Sequence, residues 1–129
     1  MDKAAAVRQV YEEWGRGNYR AGFELYDPEM TLVVHNPIPD AGTYPGLEGL
    51  QNYMRRFLDT WNDYEIEATE IEADGKRIVV EVHHGGRASQ AWVEMDYVTV
   101  WTFSGERVVR VDIGQDRDTP LAAARDAVA

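Results

Sequence analysis

The second half of the chain reads as a run of β-strands joined by short turns, and this leaves few folds open. Tyr64, Ile66 and Ala68 alternate with acidic or polar residues, as in a strand with one face in water. Asp74-Gly75 is a typical two-residue hairpin turn. The predicted strands cover residues 64–69, 78–84, 90–103 and 108–115, and the turns between them lie at 74–75, 85–89 and 104–105. Successive hairpins of this kind predict a largely antiparallel sheet.

The first half of the chain predicts helices around a single strand. Apolar residues three and four positions apart predict a helix over 2–16, which Gly15 and Gly17 end. Asn18 is expected to cap a short second helix that runs through Tyr26 and stops at Asp27-Pro28. The other predictions are a strand over 30–35, a loop over 36–42, a long helix over 47–61 and a terminal helix over 121–128. This order predicts an α+β fold with the helices on one face of the sheet.

Composition narrows the possible partners. At 129 residues the chain is expected to form one domain, and without cysteine it has neither disulfides nor Cys-ligated zinc. Asp and Glu outnumber Lys and Arg by 23 to 13, and the net charge of −10 disfavours nucleic acids and anionic membranes as partners. No apolar run approaches the ~20 residues of a membrane span, and no apolar signal core opens the chain. We therefore expect a cytoplasmic protein.

Four short strings resemble the SnoaL-like members of the nuclear transport factor 2-like, or ketosteroid isomerase-like, superfamily. They are VYEEWGRGN at 10–18, LYDPEM at 25–30, YPGLEG at 44–49 and VWTFSGERVVR at 100–110. The resemblance covers nearly the whole chain, residues 1–129, as a single domain. It implies a cone-shaped, mostly antiparallel sheet, wrapped by N-terminal helices and one long helix, around an apolar pocket. Members of the superfamily include isomerases, dehydratases, epoxide hydrolases, polyketide cyclases and non-catalytic binding or dimerising modules, so the fold alone leaves the chemistry open.

The two-residue period of the strands predicts which side chains face that pocket. Along the strand over 90–103, Met95, Tyr97, Thr99 and Trp101 share the bulkier and more apolar face. The same period and the apolar faces of the helices supply the rest of the lining, which is apolar as small-molecule sites generally are. The predicted substrate-binding residues are Tyr11, Trp14, Leu32, Val34, Tyr53, Phe57, Val80, Met95, Thr99, Trp101 and Ile113.

The resemblance also locates the positions that carry catalysis in two relatives. A ketosteroid isomerase uses a carboxylate base together with a tyrosine and a protonated carboxylic acid that stabilise an oxyanion. By the resemblance these positions fall on Val34, near Val10 and on Thr99, and none of them matches. The last-strand aspartate of a limonene-type epoxide hydrolase falls on Ile113, which does not match either. The chain carries neither signature.

Few ionisable groups are left for the pocket. His84 is the first candidate for a general acid or base, because strand period places it inward and its ordinary pKa is near neutral. Tyr97 is the candidate hydroxyl beside it, and His35 at the mouth of the pocket is the second candidate histidine. Alternatively, each histidine is a turn-proximal or surface residue without a catalytic role. His83 and His84 are adjacent on a strand and point to opposite faces, so a metal site is not predicted.

The leading hypothesis is an enzyme that carries out proton transfer without a cofactor on a hydrophobic, carbonyl-bearing metabolite. A histidine base would remove a proton while tyrosine hydroxyls stabilise the enolate, leading to isomerisation, cyclisation or dehydration. The alternative is a non-catalytic module that binds a hydrophobic ligand or dimerises. Val98 and Val100 lie on a sheet face that no helix is expected to cover, which predicts a two-fold homodimer through the convex side.

Overall fold

Residues 1–127, which the computed structural model describes, form an α+β fold. The elements follow in the order α1 (Lys3–Gly15), a short 3₁₀ helix (Phe23–Leu25), β1 (Tyr26–Val34), β2 (Gly42–Pro45), α2 (Gly46–Asp59), β3 (Asn62–Asp74), β4 (Arg77–Ala88), β5 (Ala91–Ser104), β6 (Arg107–Gly114) and α3 (Asp118–Ala127). The predicted fold class is confirmed. The terminal helix was predicted to reach Val128, which lies outside the described residues. None of the described helices is long and apolar enough to cross a bilayer.

A six-stranded sheet in the order β2-β1-β6-β5-β4-β3 forms the frame of the molecule. Neighbouring strands are antiparallel, except that β1 and β6 run parallel. The pairing register shifts within β1, β3 and β5, and such bulges bend a strand and increase its twist. The sheet therefore curves without closing, and β2 and β3 remain at its two edges.

The concave face of the sheet holds the main hydrophobic core. Helix α1 lies against β3 and α2 against β1. The Asp2 side chain caps α1 by accepting a hydrogen bond from the Ala5 backbone at 3.0 Å, and the helix buries Val7 and Val10 against the sheet. From the sheet, Met30 and Trp101 are almost completely buried in the same cluster. Removing so much apolar surface from water is what holds the helices over the concave side.

The opposite face of the sheet is covered in part by α3, which corrects the prediction that all helices lie on one face. Val79, Val98 and Val100 form a second buried cluster with Leu121 and Ala124 of this helix. The helix comes close because β6 ends in Gly114, where a Cβ would lie 2.5 Å from the ring of Pro120. Val98 and Val100 are therefore covered within the chain itself. The argument for a homodimer through this face loses its premise, and the oligomeric state stays a prediction.

The packing of α3 against the sheet predicts how two substitutions on this helix change the free energy of unfolding. Ala124 is completely buried against the sheet, whereas Ala122 on the same helix is exposed. Ala124→Asp places an unpaired charge in an apolar contact and should lower the free energy of unfolding by about 2 kcal/mol, measured by urea denaturation. Ala122→Asp adds the same charge in water and should change stability little. Equal effects of the two substitutions would show that α3 does not dock as described.

The predicted second helix over 18–26 is wrong. Only a three-residue 3₁₀ helix forms, and Tyr26-Asp27-Pro28 already belong to β1. Gly22 has a left-handed φ of 94° and lies against Val10, so the chain turns sharply where the helix was expected. Pro28 is tolerated because it falls within the irregular part of β1, between the register pairs of Tyr26 and Thr31.

Two further strand predictions needed correction. The glycines at 85 and 86 do not form a turn, since β4 continues to Ala88 and the turn follows at Ser89, which has a φ of 61°. Both glycines instead allow close packing, because a Cβ on Gly86 would lie 2.8 Å from the Trp61 ring and one on Gly85 would lie 2.9 Å from the Val93 carbonyl. The predicted loop over 36–42 ends in the short strand β2, which pairs with β1 and was not predicted.

Candidate active site

A cavity of about 350 Å³ lies between the concave face of the sheet, α1, α2 and the loop that connects β1 to β2. Helix α1 contributes Tyr11 and Trp14, and α2 contributes Tyr53 and Phe57. The strands supply a continuous row of large side chains because alternate residues of β5 point to the same side. Most of the lining is apolar or aromatic, so the few polar groups within it stand out.

The structure brings most of the predicted site residues together around this cavity. The following line it: Tyr11, Trp14, Leu32, Tyr53, Phe57, His84, Met95, Tyr97, Thr99, Trp101 and Ile113. Met95 is 47% exposed and therefore sits at the opening. Val34 and Val80 are corrections, since both are buried in the core and contribute nothing to the lining. Strand period predicts the face of a sheet correctly, but it does not distinguish a packed position from one beside empty space.

His84 is enclosed by aromatic rings. The Phe57 ring stacks on the imidazole at a centroid distance of 5.8 Å, and Tyr97 meets it edge-on at 4.6 Å. The Tyr64 hydroxyl lies 2.9 Å from Nδ1, which holds the imidazole in one orientation. Nε2 is buried and has no hydrogen-bond partner in the part of the chain that the structure describes. Burying a polar atom of this kind costs free energy unless a ligand or a water molecule forms a hydrogen bond with it.

The environment of His84 changes its acid-base chemistry. Burial, which strips the charged imidazolium of its hydration, and to a smaller extent the neighbouring His83 lower the pKa of His84 to about 4, while Asp96 acts the other way. The sequence predicted a group that titrates near 6–7, which the structure corrects. His84 is thus neutral throughout the ordinary range of pH. A neutral imidazole with one free nitrogen can accept a proton or donate a hydrogen bond, depending on its tautomer.

The lowered pKa of His84 predicts a specific loss of stability in acid. Between the ordinary value of 6.5 and about 4, the unfolded chain binds a proton that the folded protein does not. Acidification through this window should therefore lower the free energy of unfolding by about 2 kcal/mol, allowing for water in the adjoining cavity. The His84→Gln variant should lack this component, and urea denaturation of both proteins at pH 7 and pH 4.5 isolates it. Parallel curves for the two proteins would contradict a depressed pKa.

Tyr11, Thr99 and Trp101 form a second polar group in the lining. The Tyr11 hydroxyl lies 2.7 Å from Thr99 Oγ1, and Trp101 Nε1 donates to Thr99 at 3.1 Å and to Tyr11 at 3.3 Å. Burial raises the pKa of Tyr11 to about 12, although the hydrogen bonds from Thr99 and Trp101 act the other way. The phenol therefore stays protonated. The resemblance places the tyrosine of a ketosteroid isomerase near Val10, which does not match. The adjacent residue, Tyr11, nevertheless places its hydroxyl beside Thr99.

Tyr64 is a site residue that the sequence analysis missed. Its hydroxyl contacts His84, and burial raises the pKa of both Tyr64 and Tyr97 well above the usual range, so both phenols remain protonated donors. The alternation of Tyr64 with Glu65 predicts a strand but does not by itself indicate a site residue. The pairing register of β3 and β4 identifies Tyr64 as a neighbour of His84, because Ile66 pairs with His84 and Tyr64 lies two residues away on the same side.

His35 does not lie at the cavity, which corrects its predicted place at the mouth. Its Nε2 is 2.8 Å from Oδ1 of Asp112, a completely buried carboxylate. Arg110 donates to the same carboxylate from Nε at 2.8 Å and from a terminal nitrogen at 2.9 Å. Because Val34 faces the core, the next residue along the strand faces the other side of the sheet. His35 thus completes a charged cluster on the outer face.

The curved open sheet and its apolar cavity define the class: this is a protein of the nuclear transport factor 2-like fold. Solved structures with low sequence identity share the fold. An NTF2-like protein of unknown function from Burkholderia pseudomallei K96243 is 21% identical over 100% of both chains, with a TM-score of 0.77. A putative SnoaL-like polyketide cyclase from Jannaschia sp. CCS1 is 18% identical over 98% of this chain and 90% of the other, with a TM-score of 0.75.

A third similar structure has a small molecule bound. It is a hypothetical protein of ketosteroid isomerase-like fold from Catenulispora acidiphila DSM 44928, in complex with trimethylamine. It is 18% identical over 94% of this chain and 90% of the other, with a TM-score of 0.71. The comparison with curated proteins gave no match.

The family model described as the SnoaL-like domain matches residues 7–111. This span runs from α1 into β6 and includes all the residues that line the cavity except Ile113 and Gln115. The chain belongs to the SnoaL-like domain family.

Proposed function

We propose that this protein is an enzyme that transfers protons, without a cofactor, on a hydrophobic molecule carrying a carbonyl group. The observation that supports it is His84, a neutral imidazole that lines an apolar cavity and whose buried Nε2 has no hydrogen-bond partner among the described residues. The similarity to a putative SnoaL-like polyketide cyclase agrees with a substrate of this class. Isomerisation, cyclisation and dehydration all begin with the same step, removal of a proton from the carbon beside a carbonyl.

In the proposed reaction His84 is the base. Its pKa of about 4 makes it a weak one, but ketosteroid isomerases use a base with a pKa of about 4.6 for the same kind of step. The developing enolate needs hydrogen-bond donors in a site that excludes water. Protonated tyrosine hydroxyls serve this purpose, and Tyr97 is the nearest ring to the imidazole, with centroids 4.6 Å apart. For Nε2 to accept the proton, Nδ1 carries the ring hydrogen and donates a hydrogen bond to the Tyr64 hydroxyl, so Tyr64 acts as a positioning residue that fixes this tautomer.

The proposal is tested by hydrogen exchange in heavy water. Bicyclic and tricyclic ketones, such as 2-tetralone, are incubated with the protein in D₂O, and NMR follows loss of the protons beside the carbonyl. We expect at least one ketone to exchange faster with the protein than in matched buffer. Ketones that bind, as judged by tryptophan fluorescence, but never exchange faster than in buffer would contradict proton transfer.

One observation favours a second function, the binding of a hydrophobic ligand without chemistry. The carboxylates in the cavity lining are Asp40 and Asp96, and both are exposed at its rim. Deeper in the described lining there is no carboxylic acid, so a second catalytic step would depend on the proton that His84 has taken up or on a tyrosine hydroxyl. In this case the same ketones would bind and the exchange rate would remain that of the buffer.

A further inference from the structure

We propose that the cavity selects its ligand by charge, preferring hydrophobic molecules that carry a protonated amine and rejecting carboxylates and phosphates. This inference rests on the proposed function only in that the cavity is a ligand site. It does not depend on turnover. Three features of the described lining support it: it holds no lysine or arginine, it is dense in aromatic rings, and its carboxylates are exposed.

Among residues 1–127, no lysine or arginine lines the cavity. Arg56 approaches from outside, with its guanidinium 5.7 Å from the centre of the Tyr44 ring, but it contributes nothing to the lining. His84 is neutral at ordinary pH and supplies no charge. A ligand carboxylate or phosphate would thus lose its hydration on entry without meeting a cation, which is strongly unfavourable.

Aromatic rings make up much of the wall. Around His84 they are Phe57, Trp61, Tyr64 and Tyr97, with centroids 4.6–5.8 Å from the imidazole. The face of an aromatic ring carries partial negative charge, which attracts a cation and repels an anion. Two of the lining donors are already engaged, because Trp101 Nε1 and the Tyr11 hydroxyl bond to Thr99. The other tyrosine hydroxyls of the lining are neutral, so they offer a carboxylate hydrogen bonds but no opposite charge.

Carboxylates stand at the entrance. Asp40 lies in the loop between β1 and β2, and Asp96 lies on β5 with its side chain 82% exposed. Asp96 and Glu94 both contact His83, whose pKa these hydrogen bonds raise. Even when His83 is protonated, its single positive charge does not offset the two carboxylates of Asp96 and Glu94, so these three side chains keep a net negative charge. This local negative charge and the charge of −10 on the whole chain together attract cations to the entrance.

Three matched probes test the inference. They share a naphthalene ring and a two-carbon side chain, which ends in an ammonium group, a hydroxyl or a carboxylate. Titration calorimetry at pH 7.5 should show the amine binding at least tenfold more tightly than the carboxylate, with the alcohol between them. Added salt should weaken binding of the amine and leave the alcohol unchanged, because only the amine is attracted by the acidic entrance.

A pair of variants locates the effect at the cavity. Asp40→Asn removes one rim charge, and asparagine accepts the left-handed φ of 63° at this position. It should weaken amine binding about threefold and leave alcohol binding unchanged. Glu106→Gln removes the same charge at the turn between β5 and β6, among residues that do not line the cavity, and should have no effect.

Each outcome decides a different point. A carboxylate that binds as tightly as the amine overturns the charge selection but leaves the cavity as a ligand site. Equal weakening by Asp40→Asn and Glu106→Gln also overturns it, because the preference would then come from overall charge. Binding of none of the three probes would remove the cavity as a site for small hydrophobic molecules, and the proposed function would fall with it.

Discussion

Replacing His84 by glutamine should slow protein-dependent deuterium exchange by about 10²–10⁴-fold, the usual contribution of a general base. Glutamine keeps a polar side chain of similar length in the aromatic enclosure but cannot take up a proton. With the native protein, the rate should rise with pH through about 4, as the imidazole loses its proton, and stay level above it. Tyr64→Phe should have a smaller effect on rate, and should also shift this pH profile because it releases Nδ1.

His83→Gln is the matched control for this experiment. His83 is the neighbouring residue on β4, but it is exposed and contacts Asp96 at 2.6 Å, away from the His84 enclosure. Its replacement should change exchange far less than that of His84, because it removes a neighbouring charge and leaves the base in place. Circular dichroism and thermal melting should show that both variants are folded. A folded His84→Gln protein with the native exchange rate would exclude His84 as the base.

Of the substitutions proposed for this protein, Trp101→Ala should lower the free energy of unfolding the most, by about 3–5 kcal/mol. Trp101 is only 1% exposed, it stacks on Tyr26 with ring centroids 5.8 Å apart, and it bonds to Tyr11 and Thr99. The substitution leaves a large cavity and removes the donor to both hydroxyls. The melting temperature should fall by roughly 10 °C or more, and urea denaturation gives the free energy directly.

Trp92→Ala is the control, because it deletes the same side chain at a position that is 43% exposed. Its effect should stay within about 1 kcal/mol of the native protein. If the two tryptophan substitutions cost the same, the packing around Trp101 described above is incorrect.

The fold could be predicted from the sequence wherever local rules decide the structure. The period of two along β5 correctly groups Tyr97, Thr99 and Trp101, because alternation depends only on the strand itself. The rule failed at Gly85 and Gly86, where glycine serves close packing against Trp61 and Val93 rather than a turn. Whether a glycine forms a turn or allows close packing depends on residues that are distant in sequence. No local pattern can decide between the two.

The chemistry of the candidate site was less predictable than its location. Strand period pointed to His84, but its pKa depends on burial by Phe57 of α2 and Trp61 beyond it, which only the folded chain supplies. Tyr64 was missed for the same reason, since its contact with Nδ1 requires the register of β3 and β4. His35 was placed wrongly because its position at the end of β1 does not decide the direction of its side chain: Val34 faces the core, so His35 faces the other side of the sheet and contacts Asp112.

The parallel pairing of β1 with β6 has a consequence for protein synthesis. The first long strand to leave the ribosome needs the last one as its neighbour, so Leu32 and Val34 stay without their partners Val111 and Ile113 until translation is almost complete. Contacts between the two ends of a chain also make folding slow. A nascent chain released before residue 107 lacks β6, so it exposes both edges of an unfinished sheet to aggregation or proteolysis.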